Sequence, residues 1–228
     1  MIGLHLPPGD LSLLALGAHP DDIEIGCGGT LLTLAAARRL RADVVLLTGT
    51  AKRQTEARQA ATRFLEGAEV TISTHAFPDG RLPAHWAEVK EILEDTAATV
   101  RPDLVLVPRR DDAHQDHRLL GQLVPTVWRD SLVLHYEIPK WDGDLGQVSH
   151  YVPLDDETAH RKVELLDVSY PSQVERDWWD AETFLGLMRL RGIECRGRYA
   201  EAFAVAKAVI DVSPYESSRL AMSGTSSG

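Results

Sequence analysis

Ala18-His19-Pro20-Asp21-Asp22 places one imidazole and two carboxylates within four residues, and Asp112-Ala113-His114-Gln115-Asp116-His117 adds two imidazoles and two carboxylates. An imidazole and a carboxylate from the first stretch and an imidazole from the second supply three N/O ligands. That leaves a fourth position open to water, the arrangement of a catalytic rather than a structural zinc site. The two cysteines, Cys27 and Cys195, lie far apart and form no C-x-x-C pair that would compete for the metal. More donors are present than three ligand positions use. A spare carboxylate can take a proton from water, and a spare histidine can hold a developing oxyanion or protonate a leaving group. The inventory points to metal-assisted hydrolysis, with Zn2+ and Fe2+ both acceptable to such ligands.

Both stretches follow apolar runs, and the elements around them alternate. Strands are expected at residues 11–18, 43–47, 69–73, 103–107 and 131–136. Between them, helical periodicity covers 29–39, 53–65, 86–99 and 117–128. This is the pattern of βαβ units on a mostly parallel sheet, and it predicts a Rossmann-like three-layer α/β/α sandwich. In such sheets ligands sit outside the carboxyl ends of the strands, where both clusters fall. After a turn at Trp141-Asp142-Gly143-Asp144, a short strand is expected at 151–154. A helix capped by Asp155 or Asp156 runs to Leu166, another covers 176–191, and 201–209 forms a last strand or helix. Residues 1–212 read as one domain, and the serine-rich tail 213–228 as frayed.

The formal net charge of -10 speaks against binding nucleic acid or an anionic membrane through phosphates. A small molecule is the expected partner. No apolar run has membrane length, the N-terminus lacks a signal-peptide pattern, and the cysteine usage suits a reducing compartment, so a cytoplasmic protein is expected.

The two motifs, A-H-P-D-D at residues 18–22 and H-x-D-H at 114–117, resemble those of the LmbE-like, or PIG-L, family of zinc-dependent N-acetyl deacetylases, in its bacterial branch. The likeness is close over residues 17–31, returns at 112–118, and is looser over 48–65, 78–82 and 199–203. It implies His19, Asp22 and His117 as metal ligands and Asp21 as general base on the attacking water. It implies a protonated His114 as oxyanion stabiliser and general acid, with Asp116 tuning its charge. Arg53 and Asp79 match positions of substrate contact, and the resemblance also implies a homo-oligomer, a trimer or hexamer. One departure is Ile23, where many relatives carry glutamate directly after the second aspartate. The displaced Glu24 then reads as a cap or ion-pair partner of the following helix.

The implied activity is removal of an acetyl group from an N-acetylated small molecule, an N-acetylglucosaminyl conjugate or related amino sugar. Ester or phosphoester hydrolysis would use the same ligands. A nucleotide-binding domain using the glycine turn, or a metal-binding protein without catalysis, are the rivals outside hydrolysis. Gly26-Cys27-Gly28-Gly29-Thr30 lacks the G-x-G-x-x-G spacing and follows an acidic cluster, so it reads better as close packing at a helix start than as a phosphate cradle. Cys27 reads as a small buried thiol, Trp178 and Trp179 as core or interface rather than a stacking surface for a sugar ring, and Arg109 and Arg110 as partners of Asp111 or Asp112. Trp141 is either a lid or a loop anchor, and Glu201 either acts in the site or holds a sheet edge.

Overall fold

Leu11–Gly17 (β1) is apolar without alternation, as a strand buried on both faces must be. A computed structural model describes residues 3–210 and 212, so the expected frayed tail, 213–228, lies outside the described residues. Leu13 and Ala15 of β1 face one core, while Leu14 and Leu16 face a second on the other side of the sheet. The chain continues through Asp22–Ala37 (α1), Leu40–Thr48 (β2), Ala51–Phe64 (α2) and Glu69–Phe77 (β3). It then passes a 3-10 turn, Leu82–His85, into Trp86–Thr99 (α3), Leu104–Pro108 (β4), Gln115–Val127 (α4) and Leu132–Tyr136 (β5). His150–Leu154 (β6), Asp156–Ser169 (α5), Ala181–Cys195 (α6) and Tyr199–Val205 (β7) complete it. The first core holds side chains of α1, α2, α5 and α6, the second those of α3 and α4. The result is the expected three-layer α/β/α sandwich.

The sheet order is β3-β2-β1-β4-β5-β7-β6. Strands β1 to β5 pair in parallel, and β7 runs antiparallel between β5 and β6. The chain leaves β1 for β2 and β3 on one side and returns to β4 on the other. A crevice therefore opens beyond the carboxyl ends of β1 and β4.

Several boundaries differ from the sequence expectation. Helix α1 starts at Asp22, not Gly29, so the glycine-rich stretch lies inside it. A Cβ on Gly26 would stand 2.2 Å from the Tyr136 ring, and one on Gly28 2.6 Å from Phe64. These glycines are there for close packing. The helix is broken at Cys27 (φ -146°, ψ 24°), which frees amides beyond the break and carbonyls before it. Glu201 accepts from Gly29 N at 2.8 Å, Thr30 N at 2.6 Å and Thr30 Oγ1 at 2.6 Å. Lys162 donates to Ile25 O and to Glu201, both at 2.7 Å. The buried ion pair thus sets a carboxylate on the amide end of one helical half and an ammonium on the carbonyl end of the other, each matching the local dipole. Glu201 is a splint for α1. Helix α6 starts at Ala181 rather than near Arg176, because residues 171–178 form turns and the Asp180 side chain caps the helix at Thr183 N. The open choice over 201–209 resolves as a strand, β7.

Candidate active site

The turn from β1 into α1 is four residues long, and Asp21 completes it at φ 104°, ψ -23°. This left-handed conformation costs a non-glycine residue on the order of 1–3 kcal/mol and is typically retained where function requires it. It lets Asp21 and Asp22 diverge. Asp22 Oδ2 accepts from His19 N at 2.7 Å, while Asp21 Oδ2 accepts from Arg53 Nη2 at 2.7 Å.

Three groups converge from the two motifs. His19 Nδ1 stands 3.0 Å from His117 Nε2, His117 Nε2 stands 3.3 Å from Asp22 Oδ1, and His19 Nδ1 stands 3.4 Å from Asp22 Oδ2. Ligand atoms about 2.1 Å from a tetrahedral zinc ion lie about 3.4 Å apart, so this donor set fits such an ion. Two other overlapping groups, His19-His114-His117 and His19-Asp79-His114-Asp116, bring their ligand atoms within 4.8 Å of one another. His19 is common to all three. In the set with Asp22 and His117 every pair of residues comes within 3.0–3.4 Å, the spacing a tetrahedral ion requires.

The outward nitrogens are held as metal-bound imidazoles usually are. His19 Nε2 meets Asp79 Oδ1 at 3.0 Å and Asp116 Oδ2 at 3.2 Å. His117 Nδ1 meets Asp112 Oδ2 at 3.3 Å, a charge contact rather than a well-directed hydrogen bond. Burial alone would lower both histidines, but Asp22, helped by the other carboxylates, raises His19 to about 12 and His117 to about 9. A cluster so rich in carboxylates calls for positive charge, which a divalent cation provides.

Asp21 is buried. Burial raises its carboxyl to about 6, against the pull of the Arg53 guanidinium. Arg53 itself stacks over the Tyr170 ring at 5.4 Å and donates to Pro20 O and, at 3.3 Å, to Ser172 Oγ. The residue expected at the substrate is thus first a partner of Asp21. Asp79 has a side chain 79% exposed, and while one oxygen holds His19 it also faces solvent.

Asp116 is fully buried, and its carboxylate accepts from Gly80 N at 2.7 Å and Leu82 N at 3.0 Å, pinning the loop that carries Asp79. It makes no side-chain hydrogen bond to His114 among the described residues and acts there through charge alone. His114 caps α4, accepting from Asp116 N at its Nδ1 at 3.3 Å, which leaves Nε2 to carry the proton. Burial and the neighbouring His117 and His19 lower its pKa. A protonated imidazole was expected there, whereas burial and these neighbours favour the neutral ring.

Sequence reasoning missed three contributors. Asp112 reads in the sequence as a spare carboxylate or a partner of Arg109 or Arg110, yet it lies against His117 Nδ1 and is paired with Lys140 at 3.0 Å, a residue brought in from beyond β5. Glu24, expected to cap or ion-pair with the helix, instead lies in the first turn of α1 and accepts from Tyr170 Oη at 2.7 Å. Burial raises its pKa to about 7. No spacing in the chain announces either contact. Arg109 does pair with Asp111, at 2.8 Å.

The family model described as PIG-L, GlcNAc-PI de-N-acetylase, matches residues 14–128. An Escherichia coli K12 protein described as uncharacterized deacetylase YaiS is 34% identical over 149 residues, spanning 60% of this chain and 79% of that protein. The conserved protein TT1542 from Thermus thermophilus superposes with a TM-score of 0.70 at 24% identity, over 89% of this chain and 97% of that one. The N,N'-diacetylchitobiose deacetylase of Pyrococcus horikoshii superposes with a TM-score of 0.60 at 21% identity, over 85% and 83%. At these identities the two structures establish the fold.

Proposed function

This chain belongs to the PIG-L family, the family of the GlcNAc-PI de-N-acetylases, and from that premise we propose that it is a metal-dependent hydrolase releasing acetate from an N-acetylated amino sugar or a conjugate of one. The observation that carries this reading is the convergence of His19 Nδ1, His117 Nε2 and the Asp22 carboxylate within 3.0–3.4 Å, with Asp21 adjacent but turned away to Arg53. When bound by those three residues, Zn2+, or Fe2+ in its place, supplies a Lewis acid that acidifies water and polarises the acyl oxygen.

The protein's own groups do the rest. Asp21, with its carboxyl near 6, is ionised at neutral pH and takes the proton of the attacking water. Arg53 aims that carboxylate. His114 donates its Nε2 proton toward the acyl oxygen as charge develops there, at the mouth of a site where a neutral donor costs no desolvated charge. Asp21, now protonated, returns the proton to the departing amine. Asp79 meets hydroxyls of the sugar.

The partner is thus a neutral or weakly charged small molecule, in keeping with a chain of net charge -10. We place the protein in the cytoplasm as a homo-oligomer. The free Cys27 and Cys195 support the first, and exposed Leu190 and Ile193 on one face of α6 support the second. No helix among the described residues is long and apolar enough to cross a membrane. A screen of N-acetylated amino sugars and their conjugates with Zn2+-loaded protein, followed for free amine, tests the reading. Release of amine is expected from at least one, and none from any would overturn it.

A further inference from the structure

Trp141 is 74% exposed, an unusual state for so large an apolar ring. Its loop is nevertheless firmly tied. Lys140 Nζ bonds Asp112 at 3.0 Å and Asp144 at 2.8 Å, Asp144 Oδ2 accepts from Ala113 N at 2.7 Å, and Arg109 donates to Asp144 O at 2.9 Å. Residues 140–144 are therefore fastened to the segment that leads into His114 and His117.

Trp178 belongs to the segment fastened to α1 and α2, next to Arg53, the partner of Asp21. There Tyr170 holds Glu24 and lies under Arg53, and Ser172 donates to Glu56 at 2.6 Å. The two segments meet where Trp141 and Trp178 pack edge to face, with ring centroids 6.3 Å apart and planes at 78°. Trp178 is braced in turn by buried Trp179 at 5.4 Å. One segment is tied to the start of α4 and the other to α1 and α2, and they join through the two indoles.

We infer that Trp141, braced by Trp178, is the platform for a neutral saccharide ring of the substrate, and that it selects substrates by that ring. This rests on the deacetylase reading above. An indole face takes the C–H face of a pyranose, and a preorganised ring does so at little entropic cost. The nearby charges of Lys140, Asp144 and Arg109 are already paired, and the exposed carboxylate of Asp79 offers acceptors for hydroxyls while repelling anions.

The test compares the Zn2+-loaded protein with Trp141→Ala and Trp141→Phe on N,N'-diacetylchitobiose and on the acyclic N-acetylethanolamine. Trp141→Ala is expected to raise KM for the sugar roughly tenfold with kcat within about twofold, as loss of a binding anchor does. Trp141→Phe restores most of that loss, and any turnover of the acyclic amide is unchanged. An unaltered sugar KM, or an equal effect on both compounds, overturns the proposal. If the wild type hydrolyses neither compound, quenching of tryptophan fluorescence by diacetylchitobiose decides. Quenching lost in Trp141→Ala upholds the platform, quenching absent from the wild type or kept in Trp141→Ala overturns it, and the deacetylase reading itself is decided by the wider screen of N-acetylated amino sugars.

Discussion

Asp21 and Asp22 are chemically identical neighbours, and one backbone torsion separates their work. With φ at 104°, Asp21 turns its carboxylate to Arg53 while Asp22 stays with His19 and His117. Asp21→Asn removes the base and leaves the ligands, so it is expected to keep full metal content by elemental analysis while losing about 10²–10⁴-fold in turnover. Unchanged turnover would refute its role. His117→Ala and Asp22→Asn are expected to lose metal as well as activity, and a variant that keeps stoichiometric zinc would refute the ligand assignment. Asp112 accepts from His114 N and Lys140 and meets, of the three proposed ligands, only His117, at its far nitrogen. Asp112→Asn is accordingly expected to weaken metal affinity by about 10–100-fold, read by competition with a chelating dye, without abolishing binding. An affinity equal to that of the wild type would show that the 3.3 Å contact does not orient the ring.

At the scale of elements, what was legible followed from local pattern. The apolar runs of β1 and β4 announce buried parallel strands, and the polar clusters directly after them announce a site, because few other places in such a fold tolerate them. What stayed hidden depends on contacts distant in sequence. The start of α1 was misplaced because Gly26, Gly28 and Gly29 read as a turn, and helix propensity there is overridden by the approach of Tyr136 and Phe64. The break at Cys27 is sustained by Lys162 and Glu201, which lie far along the chain in α5 and β7, so no window around residue 27 contains its cause. Asp112 and Lys140 escaped for the same reason. Glu201→Gln leaves Lys162 buried without a counter-charge and weakens the acceptor for Gly29 and Thr30. It is expected to cost about 3–5 kcal/mol in denaturant unfolding. Pairing it with Lys162→Met is expected to recover part of that loss, and a double variant no more stable than Glu201→Gln alone would show that the carboxylate acts on the amides and not on the ammonium.

Taken as a whole, the molecule is a sheet whose chain runs outward from β1 in two directions, and the residues proposed to hold the metal lie astride the place where those directions part. His19 and Asp22 come from the loop after β1, His117 from the helix after β4. A cation held by all three joins segments that the sheet links only through the β1–β4 pairing. Asp21, Asp22, Asp79, Asp112 and Asp116 gather in the crevice, and a bound cation would offset their mutual repulsion in the folded state, while the unfolded chain has no such cluster to offer it. Binding to the folded state alone stabilises it by about 4 kcal/mol at a free metal concentration 1,000 times the dissociation constant. For a domain of this size 1 kcal/mol corresponds to roughly 2–4 °C, so the Zn2+-loaded protein is expected to melt roughly 10 °C above the chelator-treated protein. Asp21→Asn should keep the increment and Asp22→Asn lose most of it. The reverse pattern would show the two aspartates to be assigned backwards, and an increment untouched by either would place the stabilising ion elsewhere on the molecule.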